Sequence, residues 1–94
     1  MTGTVENIIA TKLARQLQPS VLEIDNESAR HAGHAGDNGS GESHFRIVIV
    51  SALFDGKSRI DRQRMVYAAL AEEMKGTVHA LSLKAFSPSE YDRL

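Results

Sequence analysis

Two apolar stretches, His44–Val50 and His79–Phe86, flank a segment whose hydrophobic residues recur at helical spacing. That arrangement constrains the fold more than anything else in the chain. In the first stretch Phe45, Ile47 and Ile49 alternate with Arg46, Val48 and Val50, so both faces become apolar toward its end. Such a pattern suits a central strand. Between the stretches, Ser58 with Asp61 reads as a helix start. From Ile60 onward, Met65, Val66, Ala69, Leu70 and Met74 mark one helical face, and Gly76 ends it. A helix linking two strands of one sheet serves as a right-handed crossover, which makes those strands parallel neighbours.

The flanking segments complete the pattern. Thr4 reads as an N-cap, Glu6 complements the first turn, and Ile8, Ile9, Leu13 and Leu17 recur at helical spacing until Pro19 stops the helix. Val21–Asp25 alternates as a half-buried strand, with Leu22 and Ile24 on one face, and pairs antiparallel with the stretch from His44. Asp55-Gly56 is a turn, and Ser87, Pro88 and Glu90 read as N-cap, N1 and N3 of a short last helix. The expected order is α-β-β-α-β-α. It describes an α+β fold in which helices cover one face of a three-stranded mixed sheet, as a single domain over residues 1–94.

Ninety-four residues limit the chain to one modest core, and with 5% aromatics and no Trp that core must rest on aliphatic side chains. No apolar run approaches the about 20 residues of a membrane span. Met1–Glu6 has neither a basic nor an apolar leader region, so the expected location is cytoplasmic, with no membrane contact. Zero cysteines excludes disulfides, a nucleophilic thiol and any thiolate metal site built from this chain alone. A net charge of −1 gives no bulk attraction to nucleic acid. Residues 26–43 stand apart, because Arg30–Gly41 has almost nothing to bury and contains His31 and His34 as an H-x-x-H. A loop of that length in a small domain points to function or disorder.

Taken in order, Leu22–Ser28, Gly41-Glu-Ser-His-Phe-Arg46, Val48–Ser51, Phe54-Asp-Gly-Lys57, Arg62–Val66, Ala69–Glu73 and Val78–Leu83 resemble the BolA family, over roughly Val5 to Tyr91. The resemblance implies a fold like the type II KH domain. It also implies a partner, a monothiol CGFS-type glutaredoxin, with which a 2Fe–2S cluster is shared in iron–sulfur trafficking or iron sensing. The family's strongest iron ligand, the histidine of the third strand, corresponds to His79. The second ligand, in the loop after the first strand, corresponds to His31, with His34 as a competing donor. Two departures stand out: the loop is longer than in shorter-looped members, and Gln63 occupies a position where many relatives carry histidine. For His44 the expected role is structural. Because the chain offers imidazoles and no thiolate, a glutaredoxin cysteine and glutathione would have to complete the ligand set. The isolated chain is then expected to be a monomer without a cluster, and a heterodimer with its partner.

Lys57, Arg59, Arg62 and Arg64, against Asp61, give the second helix a local positive excess. That run reads as a solvated face, or as a contact for an acidic protein surface or for phosphates. Family members have been proposed as DNA-binding transcriptional regulators, which makes duplex DNA the alternative partner. KH domains, however, grip nucleic acid with a GxxG loop between helices. The GxxG motifs here, Gly33–Gly36 and the overlapping Gly36–Gly39, fall between two strands. No enzyme signature is present. Glu72 and Glu73 are helix neighbours on different faces, adjacency of Ser43 and His44 does not make a nucleophile–base pair, and turn chemistry accounts for Asp55.

Overall fold

A computed structural model describes residues 4–26, 44–76, 78 and 80–94. Helix α1 spans Thr4–Leu17, strand β1 Val21–Asn26 and strand β2 His44–Val50. A single 3-10 turn, Ala52–Phe54, leads to helix α2, Arg59–Ala69, and helix α3, Ala71–Lys75. Strand β3, Ala80–Phe86, and helix α4, Pro88–Asp92, complete the order. The strands lie in the order β1-β2-β3, antiparallel for β1 with β2 and parallel for β2 with β3. This is the mixed sheet expected from the two apolar stretches and their helical crossover.

The period-two pattern decides which face is covered. Phe45, Ile47 and Ile49 of β2 are buried against Ile9, Leu13 and Leu17 of α1 and Val66 and Ala69 of α2. Leu22 and Ile24 of β1 and Leu81, Leu83 and Ala85 of β3 pack on the same cluster. Each fully buried aliphatic or Phe side chain contributes roughly 1.5–3 kcal/mol relative to exposure. The opposite face exposes Glu23, Arg46, Ser82 and Lys84, and carries an Arg46–Asp25 ion pair at 3.0 Å.

Local signals were mostly accurate. Ser58 Oγ accepts from the Asp61 amide at 3.1 Å. Ser87 and Glu90 form a full capping box with Pro88 behind the cap. Gly56 adopts φ +76, a left-handed turn position that suits glycine. Four details differ. Thr4 lies within the helix rather than capping it. The single helix expected up to Gly76 is broken at Leu70 (φ −109, ψ 23) into α2 and α3. No breaker residue marks that break. Leu70 is buried there, and α3 carries Glu73 to within 2.9 Å of Lys12 on α1. Ile60, at 59% exposure, lies outside the core face, and Gly76 closes α3 at φ −118 without a left-handed cap.

Candidate functional site

The sheet has two ends, and the chain distributes its chemistry unequally between them. At one end β1 finishes at Asn26, β2 begins at His44 and β3 begins at Ala80. The register aligns them: Asn26 faces Phe45, Phe45 faces Leu81, and His44 faces Ala80. Residues 27–43 therefore leave and rejoin the sheet at this end. Val78 is buried, and its amide donates to the Glu73 carbonyl at 3.0 Å, which ties the approach to β3 onto the end of α3. His44 is half-buried at the first position of β2. The expected ligands His31, His34 and His79 lie outside the described residues. The described residues that bound the segments carrying them, Asn26, His44 and Ala80, meet at this one end. Among the described residues no group of three or more His, Cys, Asp or Glu is placed to hold a metal.

At the other end, the basic segment splits in two. Arg62 is not a surface cation, as a run of charges would suggest, but an internal one with a side chain only 11% exposed. Its Nε donates to the Lys57 carbonyl at 3.0 Å, and its Nη1 donates to the Ala85 carbonyl at 3.1 Å. Both terminal nitrogens donate to Glu90, at 2.6 and 3.1 Å. The guanidinium also lies 6.0 Å from the centre of the Phe54 ring, within cation–π range. Arg62 thus joins the start of α2, the end of β3 and the start of α4, and its expected role as a nucleic-acid contact yields to this internal one. The Arg62 guanidinium, with help from the Ser87 amide, pulls the Glu90 carboxyl down to about 2. Lys57 and Arg59 remain exposed, while Arg64 sits 3.6 Å from Asp61.

Lys57, Arg59, Arg62 and Gln63 line a groove of about 550 Å³ together with the last residues of β3, and Lys84 adds a further cation. Sequence reasoning missed Lys84 because strand periodicity places it on the open face, far in sequence from α2. It also missed Glu90 as an ion-pair partner, since its capping role already explained it. Nor did sequence alone indicate Ser51, which is fully buried. Its hydroxyl donates to the Leu17 carbonyl at 2.6 Å and accepts from the Leu53 amide at 3.1 Å.

Comparison with known proteins fits this architecture. The profile of the family described as BolA-like protein matches residues 13–90. Human "BolA-like protein 1" is 51% identical over 89 residues, which is 95% of this chain and 62% of the relative. The chain thus spans less than two thirds of that relative's length. The Escherichia coli K12 "DNA-binding transcriptional regulator BolA" is 44% identical over 86 residues, covering 92% of this chain and 78% of the relative. Among solved structures, the BolA domain of SufE1 from Arabidopsis thaliana superposes with a TM-score of 0.85 at 40% identity, over 96% of this chain and 99% of that one. The mouse BolA1 protein superposes at 0.82 with 46% identity, over 98% of this chain and 72% of that one.

Proposed function

The chain belongs to the BolA-like family, and on that premise we propose that it is a non-enzymatic adaptor for a monothiol, CGFS-type glutaredoxin. In this reading the two proteins share a bridging 2Fe–2S cluster in cluster trafficking or iron regulation. The observation that carries it is the placement of histidine. The chain has 4 histidines, and every one lies in a segment that adjoins the same end of the sheet: His31 and His34 between β1 and β2, His44 opening β2, and His79 directly before β3.

The donor set suits such a cluster. Imidazole is a good iron ligand, and histidine in place of thiolate raises a cluster's potential. His79 would hold one position and His31 the other, with His34 as substitute. With no cysteine in the chain, the thiolates must come from the partner and from glutathione. When bound, the cluster supplies the transferable iron and sulfide. The chain's own contribution is to present its imidazoles from one end of a packed sheet. Alone it would be a cluster-free monomer; with the glutaredoxin it would be a heterodimer. A cytoplasmic location belongs to the same proposal. No described helix is long and apolar enough to cross a membrane, while some relatives carry chloroplastic or mitochondrial names.

The test is cluster reconstitution of an equimolar mixture with a monothiol glutaredoxin and glutathione, followed by visible circular dichroism. The expected result is a heterodimer spectrum distinct from that of the glutaredoxin alone, lost in His79→Ala and altered in His31→Ala. An unchanged glutaredoxin spectrum would remove the shared-cluster reading.

One observation favours a second reading, a DNA-binding regulator. Two bacterial relatives bear that name, and Lys57, Arg59 and Arg64 are exposed on one segment. Under it, duplex DNA binds with an affinity that falls steeply with salt and depends on those cations. Arg62 would matter only through folding.

A further inference from the structure

Among the described residues strand β3 is an edge strand, and its outer edge is only partly closed. Main-chain groups of alternate residues point to opposite edges of a strand. The Phe86 carbonyl accepts from the Ser51 amide at 3.0 Å, on the β2 side, whereas the Ala85 carbonyl accepts from Arg62 on the outer side. Leu81 and Leu83 are in phase with Ala85, so their main-chain groups also face outward. Among the described residues those groups have no hydrogen-bond partner. Open edges of this kind are usually paired, covered or charged. Here Arg62 covers the last position, and Leu83 is left beside the groove that it lines.

The groove itself has a definite character. Leu83, Ala85 and Phe86 give it an apolar strip, while Lys57, Arg59 and Lys84 stand along it. Those three cations are exposed and make no ion pair among the described residues, whereas the charge of Arg62 is matched by Glu90. An occupant must therefore bring main-chain hydrogen-bonding groups, apolar side chains and negative charge together.

We propose that the groove along β3 is a docking site for an extended acidic segment of a partner protein, which pairs with the open edge at Leu83 and sets its carboxylates against Lys57, Arg59 and Lys84. Strand addition draws affinity from main-chain hydrogen bonds and specificity from alternate side chains. The apolar residues of such a segment fall on Leu83 and Phe86, and its Asp or Glu residues meet the cations. A nucleic acid would use the cations but neither the strand edge nor the apolar strip. Phe86 is moreover committed to Tyr91, with ring centres 5.8 Å apart, rather than presented for base stacking. The proposal does not depend on the histidines or on any cluster.

The test uses the full chain, labelled with nitrogen-15, and a fluorescent peptide of about eight residues alternating Val with Glu. Expected results are saturable binding by anisotropy and amide shifts centred on Leu83. Affinity should fall at least tenfold in a Lys57→Glu, Arg59→Glu, Lys84→Glu triple variant. All three side chains are exposed, so the variant's melting curve serves as the folding control. A second arm needs no variant: the same peptide with alternate amides N-methylated keeps its charge but cannot pair with a strand, and should also bind at least tenfold more weakly. Equal binding of the methylated peptide would overturn the proposal, as would indifference to the charge reversals. Duplex DNA shifting the groove amides while the peptide does not would overturn it in favour of a phosphate-binding surface.

Discussion

The two ends of β3 are built on different principles. At Phe86 a network of internal polar contacts ties the elements together: Arg62 binds Glu90 and two carbonyls, Glu90 caps α4, and Ser51 joins α1 to the 3-10 turn. At Ala80 the adjoining segments hold all 4 histidines, and the Val78 amide ties the approach to the Glu73 carbonyl. Among the described residues, the networks of Arg62 and Ser51 lie away from the segments that carry the histidines. Substitution of the histidines is therefore expected to leave the Arg62 and Ser51 networks intact.

That contrast can be broken by substituting the locked end. Arg62→Ala removes a bidentate ion pair and leaves the Lys57 and Ala85 carbonyls without their donor. The expected loss is about 2–3 kcal/mol. For a domain of this size that lowers the melting temperature by roughly 10–20 °C. Arg62→Lys should recover little, because an ammonium cannot reproduce the planar fork. The glutaredoxin-dependent spectrum of the folded fraction should persist in both variants, whereas His79→Ala should remove it. A thermal melt and a reconstitution on the same samples separate the two effects.

Ser51→Ala is the next step down. The hydroxyl serves the Leu17 carbonyl and the Leu53 amide from a fully buried position. Its loss strands one acceptor and one donor, at about 1–3 kcal/mol. Urea unfolding should show a lower midpoint with an unchanged slope, since the surface exposed on unfolding stays the same.

Much of this was legible in the sequence, and the reasons are local. Ser58 and Ser87 announced their helices because capping needs only neighbours a turn away. The strand of Phe45, Ile47 and Ile49 announced its buried face because side chains alternate strictly. What sequence could not show depends on distant pairs. Arg62 meets Glu90, 28 positions along the chain, and Lys12 meets Glu73, 61 positions along. A row of cations therefore looked uniformly exposed when one member was internal. The break at Leu70 was hidden for the same reason, since no Gly or Pro encodes it. Of the candidate ligands, the sequence supplied identities. The fold adds only that their flanking segments meet at one sheet end, because His31, His34 and His79 lie outside the described residues.

A smaller effect tests how the locked end responds to acid. Glu90 in the folded chain is held down to about 2, chiefly by Arg62, against an ordinary value of 4.5. A carboxyl lowered on folding stabilises fully above its unfolded value, and that contribution is lost as pH falls toward the folded one. The wild-type melting temperature should therefore drop between about 4.5 and about 2. Glu90→Gln keeps an oxygen for the Ser87 amide but loses the charge. Its melting temperature should lie below wild type at neutral pH, with the gap closing through that window. A constant gap would show that the charge on Glu90 is not what holds α4.

The finest probe of the same end is Gln18, exposed and held at φ +47 directly after α1. Its neighbour Leu17 is fixed by the hydroxyl of Ser51, so the chain must turn here whatever residue follows. A left-handed conformation costs a non-glycine residue about 1–2 kcal/mol, and glycine is nearly free of that cost. Glycine also has more conformational freedom to lose from the unfolded chain, about 0.5–1 kcal/mol. The two terms oppose each other, and the strain is the larger. Gln18→Gly should therefore stabilise by about 0.5 kcal/mol, a rise of roughly 2–4 °C. Gln18→Val should do the opposite, because a β-branched side chain tolerates this region least. Equal melting of all three would mean that the turn yields to the residue. It would then be the buried hydroxyl of Ser51, and not a fixed backbone, that sets the end of α1.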